Sequence, residues 1–268
     1  MTKTTKTMLA VAGCFALGFM SAKPLLAQLN VEVKLAKEEY LQSDSDYQTA
    51  LAAFNVDKQQ YDKIPTNANF EVVLKSFRAL IAARTRVWWA FFQAMKIDLA
   101  QLPTLTPDKA ASMAAVLNQS QEKLQAENNA LEALDSREEL AAATAELKEL
   151  SLTYPNLYYP ILVQVKIAKM KLAHQKLTEF METLAELIPQ QILLTQDKEQ
   201  RLRGLSDTTL WLAQVGEDLT KIEAAADAAQ ANQAYYLYDT SVKDMDQTYQ
   251  QLLRAHTLLV ELAAGLEL

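Results

Sequence analysis

With 268 residues, a net charge of −7 and a single cysteine, Cys14, the chain has length enough for a sizeable core. It has neither the basic surplus of a nucleic-acid binder nor the cysteines for an intrachain disulfide or a cysteine metal site. Only five glycines, against abundant Ala, Leu, Gln, Glu and Lys, exclude a sheet-rich fold with its many tight turns and point to long helices, so the expected class is all-α.

The first 27 residues have the layout of a secretory signal peptide. Lys3 and Lys6 precede an apolar run from Met8 to Met20, and small residues and Pro24 follow it. The run is too short to span a bilayer as an ordinary helix. Residues 1–27 are therefore read as a signal peptide, or as an N-terminal anchor where the segment is retained. Cleavage after Ala27 would leave Leu25 at the minus-three position, which is larger than usual. VAGC at 11–14 also fits a lipobox that would lipidate Cys14, although Phe15–Met20 stays apolar where a lipoprotein turns polar. The expected location is extracytoplasmic (periplasmic, cell surface or secreted), with membrane tethering only through an uncleaved or lipidated N-terminus.

QLNVEVKL, residues 28–35, alternates like a strand and is read as an arm or a fraying helix start. The first helix then runs to about Ile64, where Pro65 stops it, and carries Val33, Tyr40, Tyr47, Phe54 and Tyr61 in one seven-residue column. The second, about Asn69–Leu102, carries Phe70, Phe77, Arg84 and Phe91 beside Leu74, Ile81, Trp88, Met95 and Leu102. Arg84 interrupts an aromatic column and is expected to meet a ring or a carboxylate across an interface.

Thr106 and Pro107 are the N-cap and first residue of a third helix through Met113, Leu117, Leu124, Leu131 and Leu134. The apolar register then slips to Leu140, Ala143, Leu147, Leu150 and Tyr154. Ser136 and Glu139 stand at capping-box spacing there, which predicts a break near Asp135. TYPNLYYP, residues 153–160, reads as a turn. Beyond it Val163, Ile167, Met170, His174, Leu177, Met181, Leu184 and Ile188 form a strict three-four seam ending near Pro189. Two more helices follow, one through Leu205, Thr208, Leu212, Val215, Leu219 and Ile222, the other through Val242, Met245, Tyr249, Leu252, His256 and Leu259.

The expectation for residues 28–268 is an elongated antiparallel helical bundle with coiled-coil-like heptad packing and about six to seven helices. The candidate boundary at 153–160 would divide it into sub-bundles 28–153 and 160–268.

The motifs that carry chemistry are absent from the sequence. There is no H-E-x-x-H, C-x-x-C-H, EF-hand loop, phosphate-binding glycine loop or G-x-S-x-G. The Glu-x-x-His of di-iron bundles is missing too, because Lys171 and Leu253 stand three residues before the two histidines. Adjacent carboxylates such as Glu38 with Glu39, or Glu138 with Glu139, point in different directions from a helix. No catalytic, cofactor-binding or metal residue is assigned, no cofactor is expected, and the chain is expected not to be an enzyme.

Three groups are singled out. His174 and His256 both fall on inward heptad positions, a candidate pH-sensitive pair if they face one another. Trp89 and Phe92 project from the second helix opposite to its core stripe, as a candidate interaction patch or as the second covered face of a central helix. Lys166, Lys169, Lys171 and Lys176 make a candidate basic surface, or else are neutralised by a helix containing Glu138, Glu139, Glu146 and Glu149. The functional expectation is an exported, non-enzymatic structural or protein-interaction module at the bacterial cell envelope, with a protein partner or self-association, no nucleic acid and no cofactor. The alternative is an extracytoplasmic sensor or ligand-binding helical bundle that responds to pH or a small apolar ligand.

Overall fold

The computed structural model describes residues 31–132, 134, 136–190, 195–228 and 234–264. Residues 1–30, with the candidate signal segment and Cys14, lie outside them. Among the described residues there are six helices and no strand: α1 Val31–Lys63, α2 Asn67–Ala100, α3 Pro107–Glu132, α4 Arg137–Gln190, α5 Thr195–Ala228 and α6 Ala234–Ala263. The class is all-α, and adjacent helices pack antiparallel. None of these helices is long and apolar enough to cross a membrane.

Local chemistry explains where the helices begin and end. Pro65 disfavours helical backbone at Ile64, and α1 stops at Lys63. Thr66 then takes an extended backbone (φ −95°, ψ 160°), and its hydroxyl accepts the Asn69 N–H at 3.2 Å, capping α2. The Asn69 side chain donates back to the Ile64 carbonyl at 2.7 Å, which ties the two helix ends together. Thr106 and Pro107 start α3 as expected, with the Lys109 N–H reaching the Thr106 hydroxyl at 3.4 Å. The capping box at α4 is formed in both directions: Glu139 N–H donates to the Ser136 hydroxyl at 3.2 Å, and Ser136 N–H donates to the Glu139 carboxylate at 3.3 Å.

One expectation is corrected and one alternative is decided. Of the two readings of stretch 28–35, an arm or a helix start, its described part takes the second, since α1 is helical from Val31. Residues 153–160 are not a turn, since α4 runs through both prolines without interruption. An interior proline costs a helix about 3 kcal/mol. Just beyond them Tyr158, Tyr159, Ile161 and Val163 are all buried. Burial of large apolar side chains contributes about 1.5–3 kcal/mol each, which together offsets the penalty of the two prolines.

The chain forms two compact units. Among the described residues the first comprises 31–101 and 106–154, and the second comprises 102–105 and 155–264. In the first, α2 is central, with α1 and α3 packed against it. Its buried residues point in nearly every direction between Leu80 and Leu99, as a helix covered on more than one side requires. The aromatic columns of α1 and α2 meet as a ladder. Tyr40 lies beside Phe91 (6.1 Å between ring centroids), Phe54 beside Phe77 (5.6 Å) and Tyr61 beside Phe70 (6.0 Å). The rungs advance by seven or fourteen residues in one helix and retreat by the same number in the other, the register of an antiparallel pair. A smaller cluster of Phe77, Ile81 and Ala143, joined by Phe54, Leu134 and Leu140, packs about the start of α4.

In the second unit the predicted seam is the core. Val163, Ile167, Met170, Leu177, Leu184 and Ile188 of α4 are buried, as are Leu205, Leu212, Val215 and Leu219 of α5 and Met245, Leu252, Ala255 and Leu259 of α6. The short segment Leu102–Leu105 belongs here as well, with both leucines buried and the Thr104 hydroxyl donating to the Ala168 carbonyl at 2.8 Å. Gly204 lets α6 come close: a Cβ at that position would stand 2.9 Å from Leu262 Cδ2.

Candidate functional site

The α1–α2 ladder has one rung that is not aromatic on both sides. By the seven-residue register, Tyr47 stands opposite Arg84, between the Tyr40–Phe91 and Phe54–Phe77 rungs. Burial pushes the Tyr47 phenol up from its ordinary range; the nearby Arg84 guanidinium opposes that shift, and the Asp44 carboxylate adds to it. Asp44, one helical turn before Tyr47, is itself pushed up by burial and partly restored by a hydrogen bond with the Gln48 side chain. The expected partner for Arg84 is thus a tyrosine with a carboxylate close behind it.

Trp89 and Phe92 do not form a patch. Phe92 is only 2 % exposed, with its ring centroid 5.8 Å from Trp88 and 5.7 Å from Phe91. The physical reason is that α2 is covered on two faces, so the side opposite the α1 ladder is also interior. Trp89 remains 38 % exposed at the rim. Around it α2 and α3 are joined by polar contacts: the Trp89 carbonyl accepts from Gln121 Nε2 at 3.4 Å, and Lys96 Nζ donates to Gln121 Oε1 at 2.7 Å and Asn118 Oδ1 at 3.0 Å. Burial pushes the Lys96 ammonium below its ordinary range.

The two histidines are both half-buried, and no hydrogen bond joins them. His174 of α4 turns to α5, where its Nε2–H donates to the Leu212 carbonyl at 2.8 Å. Gly216, one turn along α5, makes room for the ring: a Cβ there would lie 3.4 Å from both Cε1 and Nε2. Among the described residues no group of three or more His, Cys, Asp or Glu is placed to hold a metal ion.

The basic stretch of α4 meets carboxylates. Lys166 lies 3.3 Å from Asp246 of α6, Lys171 pairs with Glu223 of α5, and Lys176 lies 3.5 Å from Glu179 one turn along α4. Lys169 is half-buried among them. The acidic partners differ from those expected, because Glu138 and Glu139 sit on α4 itself, at its start.

Sequence periodicity did not single out Leu210 and Trp211. They are neighbours on α5, 68 % and 47 % exposed, flanked by buried Thr208 and Leu212 of the seam. The available signal was their position: both fall off the three-four spacing that buries the rest of the helix. The chain matches no protein-family model, no curated protein and no solved structure.

Proposed function

We propose that this chain is an exported, non-enzymatic helical module that works at the cell envelope by protein–protein association, copies of itself being the partner tested first. The observation that carries the association is the Leu210–Trp211 pair, where two large apolar side chains face solvent next to a fully formed core. Export is supported by the charged, apolar and small-residue segments of residues 1–28. A structural role is supported by the way polar groups are spent: His174, Lys166, Lys171, Lys96 and Gln121 are all engaged in contacts between helices.

Sedimentation equilibrium across a wide concentration range tests the association. A mass that rises with concentration in the wild type, and stays monomeric in a Leu210→Glu, Trp211→Glu double variant with an unchanged helical circular dichroism spectrum, is the expected result. A wild type that is monomeric throughout contradicts it.

A further inference from the structure

On α5 five exposed side chains fall on one line along the helix: Glu199, Arg203, Leu210, Glu217 and Lys221. Their spacings are four, seven, seven and four residues. At 3.6 residues per turn each points within about 20° of Leu210. The line runs opposite the face on which Leu205, Leu212, Val215 and Leu219 are buried. Leu210, at its midpoint, is the most exposed large apolar side chain among the described residues, at 68 %, and Trp211 flanks it.

Charge along the line reads minus, plus, leucine, minus, plus. Turned end for end, the same line sets every charge opposite one of the other sign. Within one chain Arg203 lies 3.4 Å from Glu199, and Lys221 lies 3.9 Å from Glu217 and 3.4 Å from Asp218. Exposed pairs of this kind contribute little to stability by themselves. A second α5 laid antiparallel, with Leu210 on a two-fold axis, brings Leu210 against Leu210, Arg203 against Glu217 and Glu199 against Lys221, each charged pair occurring twice. The positions beside the line face one another as Ser206 with Gln214 and Asp207 with Ala213, and neither is a like-charge pair. A parallel α5 pair in register would instead set each of the four charges against its own kind.

We propose that α5 pairs antiparallel with α5 of a second copy of this chain, about a two-fold axis through Leu210. Leu210 and Trp211 supply the apolar contact, and the flanking charges fix direction and register. This rests on the self-association proposed above and gives it a geometry.

Pulsed electron double resonance tests the geometry, on the full chain carrying Cys14→Ser and one spin label per chain at Gln200→Cys or Ala225→Cys, both exposed on α5. At about 1.5 Å per residue, antiparallel pairing separates the equivalent backbones of two copies by about 30 Å at 200 and about 45 Å at 225 along the axis. A parallel pair would hold them about 8–10 Å apart at both positions. Charge reversal gives an independent reading. Arg203→Glu should raise the dimer dissociation constant roughly tenfold, since it meets Glu217 of the second copy, and adding Glu217→Arg should recover most of that loss. A dimer with short distances at both labels, or one whose dissociation constant is indifferent to Arg203→Glu or not recovered by Glu217→Arg, overturns the antiparallel register and leaves self-association standing. A chain that stays monomeric at every concentration overturns both.

Discussion

Tyr47 and Arg84 face one another at the one rung of the α1–α2 ladder where an aromatic pair is replaced by a phenol and a guanidinium. Burial raises the Tyr47 pKa in the folded protein above its unfolded value. Its contribution is therefore fully present below the ordinary tyrosine range, about pH 10, and is lost as pH rises through the folded value. Chemical denaturation from pH 8 to 11.5 should show the wild type losing stability relative to Tyr47→Phe only in the alkaline part of that range. Parallel curves throughout would contradict the placement of Tyr47. Arg84→Met, which removes the opposing charge, should move the phenolate absorbance transition to still higher pH.

Asp44 gives a second pH signature at the opposite end of the scale. Its folded pKa is raised by burial, so the carboxylate is disfavoured in the folded state and stability is lost as pH rises through the carboxylate range. Asp44→Asn should be more stable than the wild type at pH 7, and the difference should vanish below about pH 4. A constant difference at both pH values would place the effect in packing instead.

Phe91 and Trp89 are two residues apart in the sequence and opposite in burial, at 0 % and 38 % exposed. Phe91→Ala should cost about 3–5 kcal/mol by denaturant titration, since it removes a ring packed between Tyr40, Trp88 and Phe92. Trp89→Ala should cost under about 1 kcal/mol. Equal costs would mean that α2 is rotated from the orientation described.

Gly216 and His174 should be energetically coupled. A valine at 216 would drive its branched carbons into an imidazole that already lies 3.4 Å from the position of a Cβ. Gly216→Val should therefore destabilise by about 1–3 kcal/mol. In a His174→Ala background the same change should cost measurably less, with a coupling of about 0.5–3 kcal/mol in the double-mutant cycle. Strict additivity would contradict the contact.

Within each helix the sequence was informative. The columns Tyr40, Tyr47, Phe54, Tyr61 and Phe70, Phe77, Arg84, Phe91 follow from a seven-residue spacing that any helix displays on one face. The caps at Thr106 and Ser136 follow from side chains that reach backbone only three residues away. What the spacing does not contain is the register between helices, so the partner of Arg84 emerged only when α1 and α2 were brought together. The two readings of Phe92, patch or second covered face, stay open in the sequence for the same reason: periodicity gives a direction, and whether another helix lies in that direction is a tertiary fact. The helical state of TYPNLYYP is not legible in the sequence because proline acts locally, while the burial of Tyr158 and Tyr159 that opposes it is a tertiary property. The Leu210–Trp211 pair lies off the three-four seam, whose spacing marks only what a helix buries.

The central claim, that this is an exported helical module, is tested most directly by the intact mass of the protein recovered from the cells that make it, with cytoplasmic, membrane and released fractions measured separately. The account predicts a chain beginning near Gln28 outside the cytoplasm, or a chain held at the membrane by a retained N-terminus or a lipidated Cys14. A full-length, unmodified chain confined to the cytoplasmic fraction would contradict it.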